Sequence, residues 1–331
     1  MAIFKFYQEA IGIDMGTANT VIADKNGIIL VDEPSLVAIN LKDYEVVAVG
    51  SEAKAMIGKT PENIAVISPI ENGVIVDYES TCFMLSSFIK RARPSFSLFQ
   101  PDALVCVSSR LSDVEKRSVE DCVHQAGARR VKIIDENISG LRGMGFDVDE
   151  AKGRLILNIG AGKVEASLVS LGGLVTSHCE PIGGESIITS IRQLLKRDYN
   201  LNLGFSNAEA ILFKIGSLNS ERENNTMLVS GNDLLSNMPK SLEISSKDIA
   251  PCILPVAKAC IDSLRKVLEK TPPDLSADIV ADGIYMVGGL SYIDYLADYI
   301  KEIVKMEINL AENPLTVCGV GAGLSLLKEE K

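Results

Sequence analysis

The chain has 331 residues, 47% apolar and 5% aromatic with no Trp, and its 33 Lys and Arg stand against 44 Asp and Glu, a net charge of −11. That length exceeds what one hydrophobic core ordinarily serves and points to two domains, while the acidic balance argues against a large nucleic-acid surface. The seven cysteines sit at no metal-ligand spacing and mostly in apolar runs, and His124 and His178 lie far apart, which argues against zinc and for buried thiols in a reducing compartment. No apolar run reaches the roughly 18 residues of a membrane span, and the first residues lack the pattern of a signal peptide.

In chain order, short strands are predicted at 10–14, 19–24, 28–31, 35–39 and 45–49, with Asn26-Gly27 as a two-residue hairpin turn. Helical periodicity follows at about 52–58 and 79–92, then a buried strand over Ala103–Val107. Ser112 to Ala126 reads as a helix opened by a capping box, Ser112 with Glu115. Val131–Ile134 is a strand, and the segment after Asp135 turns helical. A three-strand pattern returns at 153–180, with Gly172-Gly173 as the turn between its second and third strands. Helices at 185–198 and 206–217 precede a strand-rich lobe over 219–245 and a long helix over Ser246–Lys270, with Pro251 and Pro255 near its start. Ile284–Ser291 is a strand entering a Gly turn and a helix, and Thr316–Leu327 is a Gly-rich helix. Each half therefore alternates strands and helices as a mixed sheet covered on both faces does. Ligands of such folds collect at strand ends and in the cleft between halves.

The two halves also share a motif. Ile11-Gly-Ile-Asp-Met-Gly-Thr-Ala-Asn-Thr20 is an apolar strand running into a loop of small residues, and Leu155-Ile-Leu-Asn-Ile-Gly-Ala-Gly-Lys-Val164 repeats the layout. Asp14 matches Asn158, and Gly16 matches Gly160. Two such loops can approach a polyphosphate from opposite sides, because backbone N–H groups unshielded by side chains surround phosphate oxygens. The Asp14 carboxylate is suited to hold Mg2+ through water.

These residues resemble the MreB family of bacterial actins. The first motif looks like that family's first phosphate loop, and the likeness continues through Val49–Pro61, Asp77-Tyr78, Glu269–Leu275, Val287-Gly-Gly-Leu-Ser291 and Pro314–Gly323. The resemblance implies an actin-like α/β fold, the duplicated ribonuclease H-like architecture, with ATP and Mg2+ in the cleft. Residues 1–150 with 315–331 would form domain I, its small subdomain at about 33–76. Residues 151–314 would form domain II, its small subdomain at about 185–250. The resemblance further implies a homopolymer of antiparallel double protofilaments beneath the inner membrane, with other bacterial actin paralogues as further partners and no nucleic acid.

By the same resemblance Gly16, Thr17, Ala18 and Asn19 line the β- and γ-phosphates from one side, and Gly160, Ala161 and Gly162 from the other. Ala161 stands where the family usually has Gly. Glu209 matches the ribose-contacting helix, although a solvated Glu is the alternative. Gly288 and Gly289 let the backbone approach adenine, with Leu290 in place of a third Gly. Among the family's water-orienting groups Glu136 is kept, followed by Asn137 in place of the usual Pro. Lys163 takes the place of a Thr, Val164 of the next Thr, and Asn158 of an Asp that orders a magnesium water. A Lys accepts no hydrogen bond and cannot orient water as a hydroxyl does. Lys163 could instead hold phosphate, pair with Glu136 or point to solvent, and the expectation is that ATP binding survives while hydrolysis slows. Leu98 and Phe99, close after Lys90-Arg-Ala-Arg93, match the family's membrane-inserting loop and suit an anionic interface; Phe4, Phe6 and Tyr7 could add to it. The alternative is that these aromatics cap a core. A non-polymerising regulatory ATP-binding protein and a small-molecule kinase of the same superfamily remain competing functions.

Overall fold

The computed structural model describes residues 10–93, 99–219 and 225–329. Its first half runs β1 (Ala10–Met15), β2 (Asn19–Asp24), β3 (Ile29–Pro34), β4 (Val37–Asn40), β5 (Val46–Val49), α1 (Ser51–Met56), β6 (Ile64–Ile67), β7 (Ile70–Glu71), β8 (Val74–Ile75), α2 (Tyr78–Ala92), β9 (Asp102–Val107), α3 (Asp113–Gln125), β10 (Arg130–Asp135) and α4 (Glu136–Gly143). The second runs β11 (Arg154–Ile159), β12 (Val164–Ser170), β13 (Gly173–Glu180), α5 (Gly184–Tyr199), β14 (Leu201–Asn202), α6 (Phe205–Ile215), β15 (Thr226–Asp233), β16 (Pro239–Ser245), α7 (Ser246–Leu268), α8 (Pro273–Asp282), β17 (Ile284–Val287), α9 (Leu296–Val304), β18 (Ile308–Leu310) and α10 (Val317–Glu329).

Two five-stranded sheets carry the same topology. One is ordered β10-β9-β1-β2-β3 and the other β13-β12-β11-β17-β18, each with an antiparallel hairpin on one side of its first strand and parallel strands on the other. The central strands are apolar on both faces because helices cover both: Leu155, Ile156, Leu157 and Ile159 of β11 are all fully buried. Small sheets, β5-β4-β6 and β14-β15-β16, flank the large ones. The chain ends back on the first sheet, where α10 packs against α4, β1 and β2. That helix is Gly-rich because there is no room for side chains: a Cβ on Gly321 would stand 1.7 Å from the Ser139 carbonyl oxygen. A third core of Ile138, Leu141, Ile156, Val287 and Val317 joins the two halves at this point.

The predicted capping box forms. Ser112 accepts from the Glu115 amide while the Glu115 carboxylate takes the Ser112 N–H at 2.8 Å. Ser112→Ala is expected to cost about 1 kcal/mol of stability, read as a lower denaturant midpoint at unchanged slope. Two turns differ from expectation. The β2–β3 loop is not a two-residue turn: Asp24 and Ile28 close it, the Asp24 carboxylate accepts from the Asn26 and Ile28 amides, and only Gly27 takes positive φ. The side chain of Asp24 outcompetes the Asn-Gly geometry and delays β3. In the second half the turn residues are Leu171 and Gly172, both at positive φ, one position earlier than Gly172-Gly173; pairing within the sheet sets that register.

Candidate functional site

Both motif loops end central strands at the same edge of their sheets. Met15 pairs with Thr20 across the first turn, and Ile159 with Val164 across the second. The first turn is braced by Ser35, whose hydroxyl donates to the Gly16 carbonyl at 2.7 Å, while the Thr17 hydroxyl accepts from the Gly73 amide at 3.2 Å. The second is closed by Gly160 N–H to the Lys163 carbonyl and tied to the start of α5 through the Gly184 and Glu185 amides. The turns face each other closely. A Cβ on Gly162 would lie 2.7 Å from Asn72 Cα and 2.8 Å from the Thr17 hydroxyl.

Between them opens a cavity of about 930 Å³. Asp14, Gly16, Thr17, Ala18, Asn19, Glu136, Asn158, Gly160, Ala161, Gly162, Lys163, Glu209, Gly288 and Gly289 all line it, so the structure brings together every described cleft residue singled out in the sequence. Gly288 sits at φ +92°, and a Cβ there would fall 2.4 Å from the Ile159 carbonyl oxygen. Leu98 lies outside the described residues, as do Phe4, Phe6 and Tyr7. Phe99 is 56% exposed, and its carbonyl accepts from Arg93.

A buried charge network lies at the cleft floor. Lys163 Nζ lies 2.5 Å from Glu136 Oε2 and 2.8 Å from Glu165 Oε2. Asn158 Nδ2 donates to Glu136 Oε1 at 2.6 Å, so both oxygens of Glu136 are engaged. Glu165 is fully buried and also accepts from the Ser108 hydroxyl at 2.6 Å, the Ser109 amide at 3.1 Å and the Ser109 hydroxyl. Burial pushes its carboxyl up, but Lys163 and the two serines outweigh this and hold it below the usual carboxylate range. Burial also opposes the charge on Lys163, yet the two glutamates keep its ammonium well above the ordinary lysine value. The pairing with Glu136 is thus realised, and solvent exposure of Lys163 is not. Asn137 donates to the Ser167 hydroxyl at 2.7 Å, linking α4 to β12.

Asp14, Glu136 and Cys318 place one donor atom each within 4.8 Å of one another. The thiol is a poor partner for a hard cation, and burial pushes its pKa well above the ordinary range. With Glu136 engaged, Asp14 is the carboxylate left to face a cation. Desolvation, with Glu136 adding to it and the Lys163 charge opposing it, raises Asp14 to about 8. By donor chemistry the Asp14 carboxylate is the member of this set that would suit Mg2+ held through water. Glu209, on α6, forms an ion pair with Lys54 of α1 at 3.1 Å across the cleft.

Three features of the site escaped the sequence reading. Glu165 lies two residues after Lys163 and so on the same face of β12; its charge inside an apolar strand was the available sign. The β7–β8 hairpin turns on Asn72-Gly73, both at positive φ, a strong hairpin dipeptide. Lys54 carried no local sign.

A duplicated sheet with facing small-residue turns around a deep cleft is the actin-like fold, the fold seen in a crystal structure of MreB5 of Spiroplasma citri bound to AMPPNP, which aligns with a TM-score of 0.90 at 28% identity over 98% of each chain. The MreB/Mbl protein family matches residues 8–331, and the chain belongs to that family. It is 32% identical to the cell shape-determining protein Mbl of Bacillus subtilis (strain 168) over 97% of this chain and 96% of that one. To the cell shape-determining protein MreB of Escherichia coli (strain K12) it is 35% identical over 97% and 94%. Among the described residues no helix is long and apolar enough to cross a membrane.

Proposed function

We propose that this chain is a cytoskeletal filament subunit that binds ATP with Mg2+ in its cleft, hydrolyses it slowly, and polymerises at the inner face of the cell membrane in support of cell shape or motility. The observation that carries the reading is the pair of facing turns above the Lys163–Glu136–Glu165 network. In this reading the backbone of Gly16–Asn19 and of Gly160–Gly162 cradles the phosphates, and Gly288 and Gly289 pass close to the base. Asp14 orients Mg2+ through water, and the ion, when bound, neutralises phosphate charge. Residues 1–150 with 315–331 and residues 151–314 act as the two bodies that close on the nucleotide. Hydrolysis is slow because Glu136 is occupied by two donors and Lys163 offers no acceptor, so neither orients water.

Sedimentation with ATP, run beside a fluorescent-nucleotide titration, tests this. Nucleotide-dependent pelleting is expected; tight binding without any polymer would favour the regulatory reading, and phosphorylation of a small acceptor the kinase reading. For the membrane, Leu98→Ser with Phe99→Ser is expected to lose most co-sedimentation with anionic liposomes. Unchanged binding would reject this loop as the anchor.

A further inference from the structure

Away from the cleft, two thiols meet. Cys82 of α2 and Cys122 of α3 place their sulfur atoms 2.8 Å apart in a buried setting, 40 positions apart in the chain. All seven cysteines are free thiols. Cys122 is fully enclosed, and burial and the neighbouring sulfur push its pKa far above the ordinary thiol range. Cys82 keeps 6% of its surface exposed. Its thiol reaches Gln125 Oε1 at 4.0 Å, an atom that also accepts from the Tyr78 hydroxyl at 3.2 Å, and Tyr78 and Gln125 are both exposed. Cys82 is therefore buried one layer beneath exposed side chains, and Cys122 is fully enclosed.

We propose that Cys82 and Cys122 are a redox-active pair that a small hydroperoxide converts to an intramolecular disulfide stapling α2 to α3. Cys82, having given its proton to water, attacks the peroxide O–O bond through sulfur and becomes a sulfenic acid as hydroxide or alkoxide leaves. The Cys122 sulfur then attacks the Cys82 sulfur, its proton leaves with the departing hydroxide as water, and the S–S bond forms. Two thiols lose two electrons and two protons, and the peroxide is reduced to two waters, or to water and an alcohol. The adjacent resolving thiol intercepts the sulfenic acid before it oxidises further. The new bond closes a loop that includes β9, which constrains the unfolded chain more than the folded one.

The test treats the full chain with hydrogen peroxide under native conditions, then alkylates it in denaturant and maps peptides by mass with and without dithiothreitol. The expected result is protection of two of the seven thiols, a monomeric species lighter by about 2 Da, and one reducible peptide pair joining Cys82 to Cys122. Thermal unfolding of the oxidised chain is expected to shift upward and to return on reduction. In Cys122→Ser, Cys82 is expected to be trapped as a sulfenic acid that dimedone labels; in Cys82→Ser, Cys122 is expected to resist peroxide. Seven alkylated thiols, a bridge between other cysteines, an intermolecular dimer, or direct passage of Cys82 to sulfinic acid in the parent chain would each overturn the proposal. The parent measurement stands even where a variant fails to fold.

Discussion

Lys163→Met is expected to destabilise the folded chain by about 3–5 kcal/mol at neutral pH, the cost of leaving buried charge unpaired. The side chain of Glu165 is 1% exposed and that of Glu136 17%, and both rely on Lys163 Nζ. Ser108 and Ser109 remain as donors to Glu165, but hydroxyls and an amide do not replace a cation in a low-dielectric site. The pH dependence has a definite sign. In the parent the folded Glu165 carboxyl lies below its unfolded value, so its contribution is present above that value and is lost as pH falls through the folded pKa. In Lys163→Met only Ser108 and Ser109 still oppose burial, the largest cause, so the folded pKa is expected to rise above the unfolded one and the variant to lose stability as pH rises. The gap between parent and variant is therefore widest at neutral pH and narrows in acid. Adding Glu165→Gln to Lys163→Met is expected to recover most of the loss. Urea titrations at pH 4 and pH 7 check this, and coincident midpoints at both values would show that the network carries no stability.

The second large effect concerns turnover. At saturating ATP and Mg2+, the triple variant Asn158→Asp, Lys163→Thr, Val164→Thr is expected to release phosphate ~10²–10⁴-fold faster than the parent, the usual worth of a positioned general base or water-orienting group. Lys163→Thr alone is a weaker test, because it frees Glu136 but leaves Asn158 Nδ2 on its other oxygen at 2.6 Å. Both variants strip the buried Glu165 of its cation, so folding is measured beside turnover in each. The triple variant exposes an acceptor at position 163 and restores a carboxylate opposite Asp14, and the bound magnesium offsets the added negative charge. Phosphate release is measured beside nucleotide affinity, so that a binding change is not mistaken for a rate change. Equal turnover in parent and variant would remove the network as the brake on hydrolysis.

Local signals carried far into the structure. The Ser112-Glu115 capping box needs only four consecutive residues, and it forms. The duplicated motif at Asp14 and Asn158 was legible because the same strand–turn–strand chemistry was written twice, and the two sheets it builds share one topology. Where reading failed, a non-local or competing contact won. Asp24 captured the Asn26 and Ile28 amides and displaced the turn expected at Asn26-Gly27. The β12–β13 turn moved by one residue because sheet pairing chose the register. Glu209 lines the cavity, and its ion pair with Lys54 on another helix adds a partner that no local pattern announced.

The sequence by itself determined the α/β alternation, the Ser112-Glu115 cap, the two small-residue turns and the family, since each depends on residues close in the chain or on a pattern repeated along it. It also marked Lys163 as the altered position, while leaving phosphate, Glu136 and solvent as its possible partners. Only the tertiary structure decided among these. The start of α4, the end of β11 and the start of β12 converge at the cleft floor, and there Asn158 and Lys163 reach Glu136 while Lys163 also reaches Glu165, all within hydrogen-bonding distance. A buried ammonium takes the carboxylates that surround it, because in a space withdrawn from water no other arrangement satisfies all of the charges.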